Sequence, residues 1–226
     1  AKARSESLEA FSTPMPFSHN GRDEIVIVGG DCLTGHDPKT GKELWRWGTW
    51  NPSRIGHWRL VPSPVAGKGV LLACGPKGAP VFAIKAGAKG DVSEDKSSIA
   101  WQSEGRRDQV TSDVSTPLFY QGNFYVLYGE GRDKILSCVD PKSGKAKWAT
   151  DLESRSLFRG SPTGADGKLY VQNHAGTVHV IDAKSGKVLH KTNMGEPGDD
   201  QTRATIAVAH GNLFIRTNSR LYCIGS

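Results

Sequence analysis

The sequence predicts an all-β protein, a β-propeller assembled from four-stranded antiparallel blades. Short apolar segments alternate with turn residues along the chain, which includes 27 Gly and 12 Pro among its 226 residues. No long segment has apolar residues at helical spacing. One short motif also recurs, as HDPKTGKELW, VDPKSGKAKW and IDAKSGKVLH. Such recurrence indicates repeated units that pack against their neighbours.

Each unit opens with a Ser or Thr at the start of its first strand. Successive positions are 50, 53, 45 and 44 residues apart, and all but the last precede a proline. A turn and a second apolar strand follow each of them, which fits the start of a blade. We call these residues the anchors: Thr13, Ser63, Thr116, Ser161 and Thr205.

The recurring motif joins the third strand of a unit to the fourth. Its proline fixes φ near the value that a type I turn requires, and its glycine accepts a positive φ. A type I turn followed by a glycine bulge is the expected geometry. We therefore predict structural rather than catalytic roles for the motif residues Asp140, Gly144, Asp182 and Gly186.

A large ring follows the turn glycine by four residues in most units. We predict that these rings cover the seam between adjacent blades, where a flat aromatic side chain buries much surface. The marker is Trp45 in unit one, Trp101 in unit two, Trp148 in unit three and His190 in unit four.

The third strand has a small or medium side chain two residues before the motif Asp. Such a side chain suits a strand held between neighbouring blades. The two cysteines in this set lie in different units, too far apart for a disulfide, and we expect them to be free thiols in the core. The set comprises Gly35, Ala83, Cys138, Val180 and Cys223.

These markers give four complete blades and a fifth that ends after its third strand. We assign residues 1–11 to a linker or closing segment, and we expect the blades to form part of a larger propeller. A small five-bladed ring is the alternative. The predicted blades span residues 12–50, 51–103, 104–152, 153–194 and 195–226.

Composition argues against two classes of partner. The net charge is +6, but the basic residues are scattered and do not interleave with aromatic residues as in a nucleic-acid groove. No nucleic-acid partner is therefore expected. No apolar run approaches the roughly 20 residues of a transmembrane helix, so no transmembrane segment is expected either.

The motif, an Asp followed by a Thr/Ser-Gly-Lys turn and a Trp, resembles that of the PQQ-repeat, or quinoprotein-type, β-propeller superfamily. The resemblance covers residues 12–226. It implies the propeller fold. Within the superfamily, the sequence resembles the uncharacterised secreted bacterial members. This resemblance also implies a periplasmic or extracellular location. The superfamily includes PQQ-dependent dehydrogenases and an outer-membrane assembly lipoprotein that acts as a scaffold, so the fold alone does not give the function.

The resemblance also implies what a PQQ enzyme would need. Dehydrogenases of the superfamily hold the quinone between a Trp and a disulfide of adjacent cysteines, with a bound Ca²⁺. The chain has no adjacent cysteines and no calcium-loop spacing. We therefore expect no cofactor. The alternative is a fragment of a PQQ-dependent oxidoreductase, which would bind PQQ and calcium.

Candidate binding residues fall in the linkers that connect one blade to the next. Together with the loops between strands two and three, these linkers should surround one mouth of the pore. Arg159 and Arg203 each lie two residues before an anchor and could form an anion site. Alternatively, the arginines pair with local acids such as Glu153 and Asp199. The candidates on this face are Arg159, Arg203, Arg59, His57 and Trp58.

The expected function is a non-catalytic binding or scaffold module. Its loops would present one face to a protein, a polysaccharide or a small anionic ligand, and exposed blade edges would allow self-association. A carbohydrate-active propeller is a third possibility. It would require paired carboxylates across the pore. The loop carboxylates available for that role are Asp108, Asp113, Glu153 and Asp199.

Overall fold

The computed structural model describes residues 9–29, 32–48, 60–75 and 77–225. Its strands form five consecutive sheets built on antiparallel meanders, and one short inserted strand departs from this order. Blade one contains β1 (Met15–His19), β2 (Arg22–Val28), β3 (Leu33–His36) and β4 (Glu43–Trp47). Blade two contains β5 (Val65–Gly67), β6 (Val70–Cys74), β7 (Val81–Lys85) and, after an insertion with β8 (Gly90–Asp91) and a 3-10 helix (Lys96–Ser98), β9 (Ile99–Gln102).

The last three sheets repeat the arrangement more regularly. Blade three contains β10 (Leu118–Tyr120), β11 (Asn123–Tyr128), β12 (Ile135–Val139) and β13 (Ala146–Asp151). Blade four contains β14 (Thr163–Ala165), β15 (Lys168–Gln172), β16 (Thr177–Asp182) and β17 (Val188–Asn193). Blade five has three strands in the described part of the chain: β18 (Ala207–Ala209), β19 (Asn212–Arg216) and β20 (Leu221–Ile224). The predicted fold class is confirmed.

The turn motif folds through its own aspartate. In blade three, the Asp140 carboxylate accepts hydrogen bonds from the backbone N–H groups of Lys142 and Ser143, each at 3.0 Å. Gly144 has a φ of +71° and donates its N–H to the Asp140 carbonyl. The Ser143 backbone bond is the main reason that the pKa of Asp140 is lowered. The Asp182 carboxylate accepts hydrogen bonds from the backbone N–H and the hydroxyl of Ser185, so these carboxylates stabilise turns.

Aromatic residues of one blade pack on turn glycines of the next. The Trp101 indole of blade two lies so close to Gly144 that an added Cβ would be 2.5 Å from the ring, and its Nε1 donates to the Pro141 carbonyl at 2.8 Å. Trp148 of blade three lies against Gly186 in the same way, at 2.6 Å from an added Cβ. The ring and the glycine that belong to one motif therefore contact different neighbours.

The small residue of the third strand lies directly opposite the ring of the fourth strand. In blade one, a Cβ on Gly35 would collide with the Trp45 indole, whose Nε1 donates to the buried Glu24 carboxylate. The small side chain thus leaves room for the ring within its own sheet. The register pairs are Gly35 with Trp45, Ala83 with Trp101, Cys138 with Trp148 and Val180 with His190.

The five anchors form a ladder of hydrogen bonds from blade to blade. Each of the first four anchors donates its backbone N–H to the side-chain hydroxyl of the next anchor, at 2.8 to 3.0 Å. The first strands of blades two to five also contact one another in sequence order. The first strands therefore lie innermost, as in a propeller. The ladder runs from Thr13 through Ser63, Thr116 and Ser161 to Thr205.

The hydrophobic core is divided into four clusters, and each cluster fills one seam between consecutive blades. In blade three, for example, Tyr125 and Cys138 lie in one cross-strand row and pack against blade four. The corresponding row in blade five includes Phe214 and Cys223. Cys223 is exposed, because no described residue packs on that side of blade five, so the expectation of a core cysteine there is wrong.

The insertion of blade two has a role that the sequence did not indicate. Its short strand β8 pairs in parallel with β4, the outer strand of blade one, at Trp45 and Arg46. The insertion thus covers an edge of the neighbouring sheet, which is one way in which proteins protect strand edges. Among the described residues, no helix is both long enough and apolar enough to cross a membrane.

Candidate functional site

One end of the blades is formed by the linkers and by the loops between second and third strands. Hydrogen bonds join the last three linkers, which the structure describes, to the loop of the preceding blade: Thr111 Oγ1 donates to the Ala79 carbonyl at 2.7 Å, and the Thr202 N–H donates to the His174 carbonyl at 3.0 Å. These contacts make a continuous surface. We call it the linker face, made of residues 75, 77–80, 103–115, 129–134, 153–160, 173–176, 195–204 and 217–220.

Arg159, a predicted site residue, is held by a carboxylate of the neighbouring loop. Its Nε donates to Glu130 at 2.8 Å in a half-buried ion pair. Neither Glu153 nor Asp199, the acids suggested by the sequence, is its partner. Most of the charge of Arg159 is therefore engaged within the protein. Three other candidates, Arg59, His57 and Trp58, lie outside the described residues.

His174 lies between two linkers. Its backbone N–H donates to the Leu157 carbonyl at 2.8 Å, while its carbonyl accepts from Thr202. The side chain is buried, and Nε2 has no hydrogen-bond partner among the described residues. Burial and then the charges of Arg159 and Arg203 lower the pKa of His174, so the ring is neutral near pH 7. Both predicted arginines therefore act electrostatically on this histidine.

The larger cleft of the linker face, of about 520 Å³, lies beside blade three. The Arg106 guanidinium stacks over the Tyr128 ring, 5.2 Å from its centroid, and donates to the Lys77 carbonyl. Burial is the main cause that raises the pKa of Tyr128. Asp133 and Asp151 line the same cleft as Arg106, so the cleft contains both positive and negative side chains.

A second cleft, of about 360 Å³, lies at blade five and contains Arg203. Its other guanidinium comes from Arg216, the last residue of β19. The sequence did not point to Arg216, because it lies outside the linkers; its only signal was its position at the end of a second strand. We call this site the blade-five cleft, lined by Gln201, Thr202, Arg203, Ala204, Arg216, Thr217 and Asn218.

Three of the four loop carboxylates that a carbohydrate-active site would need accept local hydrogen bonds. Asp108 accepts hydrogen bonds from the Glu104 and Val110 N–H groups, and Asp113 accepts one from the Lys77 N–H. These bonds shape the linkers. Asp199 accepts from the Glu196 N–H and from Ser219, while Glu153 is exposed in a left-handed backbone conformation, with a φ of +49°.

The described residues do not fit a PQQ site. Trp45, Trp47 and Trp101 are buried in blade seams, where no flat cofactor could stack on them. Cys74 and Cys138 are buried in different blades and Cys223 is exposed. No group of three or more His, Cys, Asp or Glu side chains in the described ranges could hold a metal ion.

A protein-family comparison decides the family. The family model PQQ_2, described as "Outer membrane protein assembly factor BamB", matches residues 29–225. The chain belongs to this PQQ-repeat family. No curated protein matched this PQQ-repeat chain.

Solved structures show the same fold for the PQQ-repeat chain at low sequence identity. BamB from Moraxella catarrhalis has a TM-score of 0.57 at 12% identity, over 84% of this chain and 54% of that one. Quinohemoprotein alcohol dehydrogenase from Comamonas testosteroni has a TM-score of 0.67 at 13% identity, over 97% and 42%. The quinohemoprotein alcohol dehydrogenase ADHIIG from Pseudomonas putida HK5 has a TM-score of 0.70 at 14% identity, over 99% and 41%. The chain thus spans about half the length of these proteins or less.

Proposed function

We propose that this PQQ-repeat propeller is a non-catalytic binding module that presents its linker face to a protein partner. One observation carries the proposal: the linker face has polar and charged groups without internal partners. Arg203 and Arg216 form no ion pair among the described residues, and the buried Nε2 of His174 is unsatisfied. Buried unpaired polar atoms are costly, and exposed arginines are enriched at protein interfaces.

The opposite end of the blades is less suited to specific binding. It consists of tight turns, in which the carboxylates of Asp140 and Asp182 are already bonded to their own turns. The description of the family model as an outer membrane protein assembly factor also supports a protein partner. The alternative ligand on the same face is a polysaccharide, and the mixed-charge cleft beside blade three favours it.

Photo-crosslinking from the two ends tests this proposal. A photoreactive residue is introduced singly at Arg107, Arg132 or Arg155 on the linker face, and at exposed lysines of the opposite turns as matched controls. We expect protein adducts in cells from the linker-face positions alone. Adducts from both ends equally, or from the turns only, would contradict the proposal. The control positions are Lys39, Lys142 and Lys184.

We place the protein in the bacterial periplasm or outside the cell, as its family description suggests. Three of its cysteines are buried, where they are protected from oxidation. Cell fractionation is expected to recover the protein with periplasmic or secreted markers. Recovery with cytosolic markers would contradict this location.

The second candidate is a part of a PQQ-dependent oxidoreductase. The similarity to two alcohol dehydrogenases over nearly the whole chain favours it. A titration with PQQ and Ca²⁺, followed by quinone absorbance and then by alcohol turnover with an artificial electron acceptor, separates the two. We expect no stoichiometric binding. Binding with turnover would replace the leading proposal.

Self-association is a further proposal about partners, and blade five carries it. Leu221 is 69% exposed and Ile224 is 42% exposed on this three-stranded sheet. An exposed apolar strand is a site for pairing with another chain. Sedimentation velocity should show a concentration-dependent dimer that Leu221→Lys abolishes; a monomer at all concentrations would exclude this contact.

A further inference from the structure

Two arginines of the blade-five cleft come from different segments but line one space. Arg203 is in the linker before β18, and Arg216 ends β19. Both residues are exposed, and no carboxylate is among the described residues that line the cleft with them. The amide side chains of Gln201 and Asn218 belong to residues that also line it. The cleft therefore combines positive charge with neutral hydrogen-bonding groups.

Two acids of the linker before β18 are engaged by other residues. Glu196 forms an ion pair with Arg220 at 3.0 Å. The Asp199 carboxylate accepts hydrogen bonds from the Glu196 N–H at 2.8 Å and from Ser219 Oγ at 3.2 Å, and these bonds help to lower its pKa. Among the described residues, neither cleft arginine forms an ion pair with a carboxylate.

Two other arginines of the linker face have partners of their own. Arg159 is neutralised by Glu130, and Arg106 stacks on Tyr128 in a cleft that has acids of its own. Uncompensated guanidinium groups near one another are unfavourable, and an anion would offset their repulsion. The planar fork of Arg matches the two oxygens of a carboxylate.

We infer that the blade-five cleft binds an acidic segment of the protein partner. Carboxylates of that segment would form ion pairs with Arg203 and Arg216. The volume of about 360 Å³ admits one or two acidic side chains. Asn218 and Gln201 offer amide groups to the backbone of the segment. This inference rests on the proposed function, because the segment belongs to the partner that the linker face is proposed to bind.

Binding of a labelled penta-aspartate peptide to the purified chain tests the inference, with penta-asparagine as the peptide control. We expect saturable binding that Arg203→Gln combined with Arg216→Gln weakens at least tenfold. The matched variant, Arg107→Gln combined with Arg155→Gln, removes the same charge from exposed linker positions outside the cleft. It should change the affinity less than twofold. An equal loss in both variants, or no loss in the first, would overturn the inference.

Two further arms identify the chemistry. Replacement of both cleft arginines with Lys keeps the charge but removes the fork, and we expect an intermediate loss of affinity. Inorganic phosphate is then used as a competitor against acetate at equal ionic strength. If phosphate displaces the peptide at concentrations at which acetate does not, the cleft is a phosphate site, and the acidic-peptide assignment fails.

Failure of the inference and failure of the proposed function give different results. The crosslinking positions Arg107, Arg132 and Arg155 do not line the blade-five cleft. Face-specific adducts together with unchanged peptide binding in the cleft variant would refute the cleft alone. Peptide binding lost in the cleft variant, without face-specific adducts in cells, would refute the proposed partner face.

Discussion

The backbone N–H of Ser63 donates a 3.0 Å hydrogen bond to Oγ1 of Thr116, which lies 53 residues further along the chain. The same bond joins each anchor to the next across four consecutive blade pairs. It explains why the three inner anchors are Ser or Thr: Ser63, Thr116 and Ser161 each provide a backbone donor to the next anchor and a hydroxyl acceptor to the previous one. The repeat in the sequence therefore records an inter-blade contact.

Thr116→Val tests the ladder. The substitution keeps the side-chain shape but removes the acceptor of the Ser63 N–H, which is half-buried at this seam. We expect the free energy of unfolding to fall by about 1 kcal/mol, the typical loss for one hydrogen bond. Urea denaturation measures it. Thr13→Val is the matched control, because Thr13 is exposed and its hydroxyl accepts no bond from the described residues. Equal effects of the two variants would rule out the ladder as a source of stability.

Gly186→Ala tests the packing of Trp148 across the seam. The new Cβ would be 2.6 Å from the indole, and Gly186 also has a φ of +74°. Gly41→Ala is the control, because this glycine has the same place in its turn motif, a φ of +70° and nothing within 4 Å of an added Cβ. The positive φ costs both variants roughly 1–2 kcal/mol. We expect a further loss of about 1–3 kcal/mol in Gly186→Ala alone, from overpacking.

Thermal or urea unfolding of the two glycine variants gives this difference directly. A loss in Gly41→Ala as large as in Gly186→Ala would mean that the conformation of the turn, and not the contact with Trp148, requires the glycine. That result would leave the motif as a turn signal only.

Trp101→Ala is expected to destabilise the fold more than Trp148→Ala. Trp101 is 7% exposed and its Nε1 donates to the Pro141 carbonyl, whereas Trp148 is half-buried. Removal of a buried Trp costs about 3–5 kcal/mol, and the partly exposed ring should cost less. Unfolding midpoints measured in urea establish the order. A larger loss for Trp148→Ala would show that the difference in burial between the two rings does not determine how much each stabilises the fold.

The sequence predicted the parts of the fold that repeat. Asp140 with Gly144, and the small residue Cys138 opposite Trp148, recur because each blade needs the same turn and the same seam. These positions could be read without a structure, since one physical requirement selects the same residue type several times. The anchors are the clearest case, although their hydrogen-bond partners were not foreseen.

The features that the sequence did not predict are contacts that are not repeated from blade to blade. Glu130 pairs with Arg159 from a loop that has no repeated residues, and Arg216 joins Arg203 only through the three-dimensional arrangement of a strand end and a linker. The parallel pairing of β8 with β4 arises from an insertion in a single blade. Candidate sites are built from such unique contacts, and no periodic pattern in the chain reports them.

His179 gives the fold a pH dependence. Its ring is fully buried in the seam between blades three and four, edge-on to Phe158 with centroids 5.2 Å apart. Burial, and then the charge of Lys191, lowers the pKa of His179 from 6.5 to about 4. The folded state therefore binds fewer protons than the unfolded state between these two values. The pKa of His174 is lowered as well, mainly by burial. The folded state therefore loses stability as His174 is protonated, in the same direction as for His179.

We expect the free energy of unfolding to be constant with pH just above 6.5 and to fall as the pH drops from about 6.5 to about 4. The part due to His179 amounts to roughly 3 kcal/mol, since each pKa unit corresponds to about 1.4 kcal/mol. Urea denaturation at several pH values measures this slope. His179→Leu should remove that part of the slope, whereas His210→Gln, at an exposed turn, should retain it. A His179→Leu profile parallel to that of the unmodified chain would mean that the ring is hydrated in the folded protein, because only a desolvated imidazole would oppose protonation there.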